Sequence, residues 1–405
     1  MTIKLPDKVE YIINRLLENG YEAYAVGGCV RDAMLKREPE DWDITTSAMP
    51  WEVKELFRRT VDTGIKHGTV TVLLDEDAFE VTTYRIDGEY EDGRHPKQVE
   101  FTRNLIEDLK RRDFTINAMA YNYATGLVDE FDGLGDLKKG IIRCVGNPKD
   151  RFNEDALRMM RAVRFSAQLG FFIEENTLLA IKELSGNISK ISAERIRVEL
   201  TKTILSKNPS YLKYLYDTGI TTHVLSFYDS LVHEGKIDLI NDMLRYTTHD
   251  KELAYAVLLH PFGGDAAKRV LRDLRFDNRT VEHVKVLAEY FLQDVDTDEV
   301  SIRRLVSNMS KELFEKRIAL KKIYAKTIKN EHLLEQLKLI DDRYQLIVNR
   351  GDCLSLKELK LAGADLIKLG YAPGKELGDI LDMLLEKVLE NPQLNDKEQL
   401  LNILK

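Results

Sequence analysis

Two aspartates, Asp41 and Asp43, stand one residue apart at the end of the stretch AVGGCVRDAMLKREPEDWDIT, residues 25–45. On a strand, alternate residues share a face, so the two carboxylates point the same way. Carboxylate oxygens are hard ligands that suit Mg²⁺, which takes one or two of them and fills its remaining positions with water and substrate phosphate oxygens. Gly27 and Gly28 allow the backbone close to a phosphate, and the Arg31 guanidinium can clamp one. A phosphate cradle just ahead of a metal pair is the equipment of nucleotidyl transfer: one metal lowers the pKa of an attacking hydroxyl while another bridges a triphosphate. A third catalytic carboxylate is expected from a neighbouring strand. Glu80 suits it, since Phe79 and Val81 on either side would face the core while Glu80 faces the metals. A bare DxD pair is more often an exposed strand end, and Glu80 is equally readable as a surface residue; the preceding GGxxRD lifts the reading.

Further on, Arg111-Arg112-Asp113-Phe114-Thr115-Ile116-Asn117 offers guanidinium groups for phosphate, with the Asp113 carboxylate and the Asn117 amide for sugar hydroxyls. Asp113 could also do no more than cap a helix. A third constellation, Glu154-Asp155-Ala-Leu-Arg158-Met-Met-Arg161-Ala-Val-Arg164-Phe165, places Asp155 and Arg158 three apart, as neighbours on a helix. A carboxylate beside a donor fork matches the edge of cytosine or adenine, each of which sets an exocyclic amine beside a ring-nitrogen acceptor. Uracil and guanine present the reverse pattern. Arg161 and Arg164 continue the basic strip. The competing reading is an i,i+3 ion pair on a solvated helix.

The elements that must hold these groups follow from periodicity. Val9, Ile12, Ile13, Leu16 and Leu17 predict an amphipathic helix rather than a signal peptide. Glu22–Val26 predicts a strand, Val30–Leu35 a short helix and Asp43–Thr45 part of the next strand. Ser47–Pro50 predicts the start of a helix that buries Trp51, Val53, Leu56 and Phe57. Thr69–Leu74 and Phe79–Tyr84 predict a hairpin, and Asp87–Thr102 a mobile loop. Arg111–Tyr123 reads as partly helical, Gly126–Gly140 as turns and Ile141–Val145 as a short strand. Beyond Pro148 every segment has helical period, with Asn153–Leu169, Glu175–Leu184 and Ser192–Leu205 the clearest. The fold class is therefore α+β, a mixed-sheet N-terminal head followed by an all-helical remainder.

The 405 residues suffice for several cores, and 43% hydrophobic with 32% charged residues fit a soluble protein. A net charge of −8 excludes a uniformly basic surface but not a local basic stripe that binds phosphates. Cys29, Cys144 and Cys353 are far apart, without CxxC, which predicts neither a zinc site nor disulfides and fits a reducing cytoplasm. No apolar run is long enough to span a membrane.

In order and spacing, GGCVRD with DWD, then RRDFTINA, then EDALRMMRAVRF closely resemble the bacterial class II tRNA nucleotidyltransferases, the CCA-adding enzymes, within the poly(A) polymerase-like family. Ala193-Glu-Arg-Ile-Arg-Val-Glu-Leu200 resembles the last head-and-neck motif of that family. Leu359–Ile367 with Gly370–Gly378 resembles its tail. The resemblance implies a catalytic head over residues 1–150, a helical neck at 151–206 that recognises the base, a helical body at 207–295 and a tRNA-binding tail at 296–405. It implies Mg²⁺ on Asp41 and Asp43, and nucleotide held by Gly28, Arg31 and Arg112. It further implies CTP or ATP chosen by Asp155 and Arg158, with Arg161 and Arg164 beside them. The implied partners are the acceptor stem and elbow of tRNA, with neither DNA nor a membrane. Arg303, Arg304, Lys316, Arg317, Lys321, Lys322 and Lys326 are the basic candidates for RNA phosphates. The implied reaction is Mg²⁺-assisted attack of the tRNA 3′-hydroxyl on CTP twice and ATP once, releasing pyrophosphate. The rival readings are a poly(A) polymerase, a CC- or A-only enzyme, a catalytically dead tRNA-binding protein and, from His249-Asp250 with His233 and His260 nearby, a metal-dependent phosphohydrolase. The last lacks a full set of ligands.

Overall fold

The computed structural model describes residues 2–88 and 99–404. The chain divides into two compact units, Met1–Ile237 and Asp238–Lys405.

In the first unit, helix α1 (Asp7–Glu18) buries Val9, Ile12, Ile13 and Leu16 on one face, with Asp7 and Glu10 in its first turn and Arg15 in its last, matching the helix dipole. It leads into β1 (Ala23–Val26), whose four residues are all buried, as suits the interior of a sheet. The seven strands run in the order β3-β4-β5-β2-β1-β8-β9. β2 is Ile44–Thr46, β3 Thr60–Gly64, β4 Thr69–Leu74, β5 Asp77–Thr83, β8 Ala120–Asn122 and β9 Gly126–Val128. Only β2 and β5 pair in parallel; their other pairings are antiparallel. A mixed sheet of this kind, with helices such as α2 (Gly28–Met34) and α3 (Pro50–Leu56) between strands, is the expected α+β head. The apolar face of the sheet meets Leu105 and Leu109 through Tyr24, Val26, Tyr84 and Ala120.

Several local readings are corrected. Trp51 is 58% exposed rather than buried, while Val53 and Phe57 turn inward. The segment Arg111–Tyr123 is a 3₁₀ turn at Thr115–Asn117 followed by β8, and Gly126–Gly140 holds both β9 and a helix, Gly133–Lys139. The expected mobile loop begins and ends as strands, β6 (Arg85–Asp87) paired with β7 (Val99–Phe101). Its middle, residues 89–98, lies outside the described residues. The region past Pro148 is not purely helical, because β11 (Phe172–Ile173) pairs in parallel with β10 (Ile141–Ile142). Such two-residue strands are too short to carry a period in the sequence.

The predicted helix Asn153–Leu169 is two helices, Pro148–Glu154 and Leu157–Leu169. Asp155 between them is extended, and its carboxylate accepts from the Leu157 N–H at 3.0 Å. An aspartate that bonds the backbone two residues on competes with helix continuation, so it starts a new helix instead of prolonging the old one.

Among the described residues of the second unit every regular element is helical. Its core gathers Ile302, Val306, Phe314, Ile318, Leu337, Ile340, Tyr344, Leu384 and Val388.

Candidate active site

The glycine turn is built at the end of β1. Gly27 has φ +82°, and its N–H donates to the Met119 carbonyl at 3.1 Å while its carbonyl accepts from Arg31 N–H at 3.1 Å. A Cβ on Gly27 would lie 2.8 Å from Arg112 Nη1. Glycine is thus required twice, by the left-handed backbone and by the guanidinium packed on the turn.

Asp41 and Asp43 precede β2 instead of lying within it. The Asp43 carbonyl still accepts from Val26 N–H at 3.0 Å, so Asp43 prolongs the ladder to β1 by one residue. In the parallel pair β2–β5, Ile44 is opposite Val81. One step back along both chains brings Asp43 alongside Glu80, on the same side of the sheet. Val81 beside Glu80 is buried, as the alternation requires. Electrostatics agree with this placement. Lost solvent raises the Asp43 carboxyl above its ordinary value; Arg112 opposes the shift and Asp41 adds to it. Glu80 is raised too, first by lost solvent and then by Asp43 and Asp41. All three residues keep exposed surface, which leaves them open to an incoming cation. The donor set fits a hard divalent cation: three oxygen donors whose mutual repulsion such a charge would relieve. Their oxygens are not drawn into one group within 4.8 Å. Among the described residues the one group that is consists of Glu252, His283 and Glu312 in the other unit. There Lys316 and His283 pair with Glu252, and Arg279 pairs with Glu312, so the carboxylates already have counter-charges.

A pH prediction follows from the raised carboxyls. As pH falls through the raised values, Glu80 and Asp43 take up protons before ordinary carboxylates do. Any activity that needs these carboxylates ionised should therefore decline from a higher pH than an unperturbed carboxylate allows, and added divalent metal should push the decline to lower pH. Stability moves the other way. In this window the folded state binds more protons than the unfolded chain, so protonating these two groups stabilises the fold as pH falls. A pH–rate profile beside thermal melts checks both signs; a decline confined to the ordinary carboxylate range in wild type would refute the placement.

The arginines are more engaged than their sequence suggests. Arg31 is buried; it donates to Asn117 Oδ1 at 2.6 Å and through two nitrogens to Asp32, and it lies 5.0 Å from the Phe165 ring centroid. Gly28 lies beside it, a Cβ there meeting Arg31 Nη2 at 3.7 Å. Asp113 is no helix cap. It is buried and accepts from Asn117 Nδ2 at 3.1 Å and from Arg161 Nε at 2.8 Å. Burial alone would raise its carboxyl, but Arg161, Asn117 and Arg158 outweigh that and hold it well below the usual range.

Asp155 and Arg158 do not share a helical face as expected, because Asp155 is extended ahead of the helix that carries Arg158. Asp155 is gripped through both oxygens by Arg195, at 2.7 and 3.3 Å. Arg158 pairs with Glu154 at 2.6 Å and donates to the Arg111 carbonyl at 3.0 Å. Arg164 is buried; it pairs with Glu199 at 2.6 Å and stacks 3.7 Å from the Phe165 centroid, with Arg161 5.3 Å away on the same ring. One buried aromatic ring therefore serves three guanidinium groups, and its negative face eases their crowding.

Four contributors escaped sequence reasoning: Asp108, Phe165, Arg195 and Glu199. Asp108 had a signal, standing three and four residues before Arg111 and Arg112. Arg195 and Glu199 lay in a stretch whose resemblance was noticed, but only the tertiary fold supplies their partners.

His249-Asp250 is a helix start. The Asp250 carboxylate caps helix Lys251–Leu259 through two backbone N–H groups and pairs with Lys316. Of the basic residues expected to meet RNA, Arg303, Arg317 and Lys321 are buried. Arg304 pairs with Glu386 and Glu390, and Lys322 with Asp341. Lys326 is exposed.

Comparison with known proteins adds three matches along the chain. Residues 23–143 match the family described as the poly A polymerase head domain, 170–231 the probable RNA and SrmB-binding site of polymerase A, and 246–404 the putative tRNA nucleotidyltransferase domain 2. A CCA-adding enzyme of Ligilactobacillus salivarius is 38% identical over 394 residues, 96% of this chain and 94% of the relative. One of Lactobacillus helveticus is 39% identical over 399 residues, again 96% and 94%. The crystal structure of the Bacillus stearothermophilus CCA-adding enzyme in complex with CTP has a TM-score of 0.82 at 30% identity, covering 98% of this chain and 96% of that one.

Proposed function

The chain belongs to the CCA-adding enzymes, and from that premise we propose how its residues divide the work. It is a tRNA nucleotidyltransferase that adds C, C and A to the 3′ end of tRNA from CTP and ATP, without a nucleic-acid template, releasing pyrophosphate. Its family uses divalent metal, and Mg²⁺ is the ion we assign to Asp41 and Asp43, with Glu80 as third carboxylate. The observation that carries this assignment is the parallel register that sets Glu80 beside Asp43 next to the Gly27 turn. The metal, when bound, lowers the pKa of the tRNA 3′-hydroxyl and neutralises charge on the triphosphate. The chain's own residues then bind and orient. Gly27 and Gly28 admit the phosphates to the backbone, Arg112 faces them from the other side of the turn, and Arg31 stiffens the turn from within through Asn117 and Phe165. Asp113 and Asn117 act by holding Arg161 and Arg31 in register, and no covalent enzyme intermediate is needed.

Base choice is assigned to Asp155 and Arg158 at the bend between the two helices. What supports the reading is that each is held in direction by a partner, Arg195 or Glu154. Asp155 Oδ2 accepts from Arg195, and a carboxylate oxygen has room for a second donor such as an exocyclic amine. Arg161 and Arg164 back this wall. Replacing Arg158 with alanine should leave addition working but loosen discrimination among C, A, U and G by about tenfold or more, the cost of losing a hydrogen-bonded contact of roughly 1–3 kcal/mol. Parallel incorporation assays with the four nucleotides measure it; unchanged selectivity would remove Arg158 from the role.

The head (1–150), neck (151–206), body (207–295) and tail (296–405) are the functional divisions we assign, with the last two holding the acceptor stem and elbow of tRNA. A cytoplasmic setting is assigned as well, in keeping with three buried, unpaired cysteines and with tRNA as substrate; no described helix is long and apolar enough to cross a membrane. The match to a poly A polymerase head keeps one rival in view. Incubation with tRNA lacking its CCA end, with CTP and ATP supplied separately, decides between them. Two C residues and then one A are expected, whereas long A tails on unrelated RNA or an absence of C incorporation would overturn the reading.

A further inference from the structure

We propose that Asp108 is a positioning residue that aims Arg112 at the incoming triphosphate, an inference that rests on the nucleotidyl-transfer reading of this site. Asp108 has no exposed surface. A carboxylate so buried persists only when its oxygens are satisfied and its charge is met. One oxygen accepts from Arg111 Nε at 2.9 Å, Arg111 Nη2 at 2.8 Å and the Arg85 N–H at 3.3 Å. The other accepts from Arg112 Nη2 at 3.4 Å and the Thr45 hydroxyl at 3.3 Å. Burial pushes the carboxyl up, but Arg111 and Arg112 prevail and keep it ionised.

These contacts converge from three parts of the head. Thr45 lies on β2, two residues past Asp43. Arg85 opens the β6–β7 hairpin. Arg112 packs on the Gly27 turn, its Nη1 2.8 Å from where a Cβ on Gly27 would lie. Arg112 Nε is buried and has no hydrogen-bond partner among the described residues. The guanidinium is thus tethered through one nitrogen to Asp108 and retains donor capacity beside the turn. One carboxylate against two guanidiniums also leaves a net positive charge where a triphosphate would lie. Asp108 touches neither substrate nor metal in this arrangement; it works through Arg112.

Steady-state kinetics of the full chain with tRNA lacking its CCA end test the idea. Asp108→Asn keeps the shape and removes the charge. It should raise KM for CTP and for ATP alike by about tenfold, the lower end of what losing an outer-shell partner costs, with a smaller change in kcat and unaltered base selectivity. In an Arg112→Lys background the same substitution should add little further, because both act through one guanidinium. Unchanged KM in Asp108→Asn, or effects that multiply in the double variant, would overturn the proposal. Should Asp108→Asn fail to fold, Thr45→Val removes one contact to the same oxygen and should raise both KM values about two- to threefold, in line with one hydrogen bond; no change there is equally fatal. A wild-type chain that adds neither C nor A would refute the underlying reading instead, whereas an active wild type with indifferent variants refutes the role of Asp108 alone.

Discussion

Replacing Asp43 with alanine is expected to abolish nucleotide addition while leaving tRNA binding within about twofold of wild type. The loss should reach at least about 10³-fold, or roughly 4 kcal/mol of transition-state stabilisation. The site contains no side chain placed to substitute for it. The nearest carboxylates, Asp41 and Glu80, already repel one another, and Asp32, Asp108 and Asp113 are each engaged by an arginine. Asp41→Ala should behave alike. Glu80→Gln should be milder, because it keeps an oxygen donor and loses only charge. Tight RNA binding should survive, since it draws on phosphate contacts spread over many residues. Single-turnover incorporation of CMP alongside a tRNA gel-shift separates the two properties. Near-normal turnover in Asp43→Ala would end the metal assignment, and loss of tRNA binding together with turnover would mean that the substitution had damaged the fold.

The second large effect is on stability. Arg161→Ala leaves Asp113 buried with its principal counter-charge gone, and removing one partner of a buried pair costs about 3–5 kcal/mol. For a unit of this size that corresponds to a drop in Tm on the order of 10 °C. The pH dependence has a definite sign. Because the Asp113 carboxyl is depressed in the folded state, its stabilising contribution is fully present above the ordinary carboxylate range and is lost as pH falls through the depressed folded value. Wild type should thus soften in strong acid, and Arg161→Ala should lose part of that acid sensitivity. Scanning calorimetry across pH reads both. A melt within about 2 °C of wild type would show that Asp113 is not the junction its contacts describe. Glu199 retains Arg164 in this variant, so the remainder of the network stands.

The chemistry was legible in the chain because short-range rules govern it. Alternation made Asp41 and Asp43 one pair, glycine marked the turn, and helical period separated a mixed-sheet head from a helical remainder. Even Glu80 could be nominated from the apolar neighbours that oblige it to face away from the core. What stayed hidden depends on residues far apart in sequence. Parallel pairing of β2 with β5 requires a crossover, and no local pattern states its register, yet that register sets Glu80 beside Asp43. The helix break at Asp155 was concealed by the strong apolar period that follows it, from Leu157 to Phe165. Once the break is present, the i,i+3 argument for Asp155 and Arg158 fails, and each residue takes a partner of its own. Among the basic residues of the second unit, charge alone could not tell Arg303 and Arg317 inside the core from Lys326 on the surface.

By itself, then, the sequence determined the reaction class and the α+β plan, which are matters of residue identity and spacing over a few positions. Only the tertiary structure decided which guanidinium answers which carboxylate. A buried charge is tolerated only where a counter-charge arrives from another element. Asp113 and Asp155 accordingly take Arg161 and Arg195, residues that chain distance keeps apart and the fold brings within hydrogen-bonding reach.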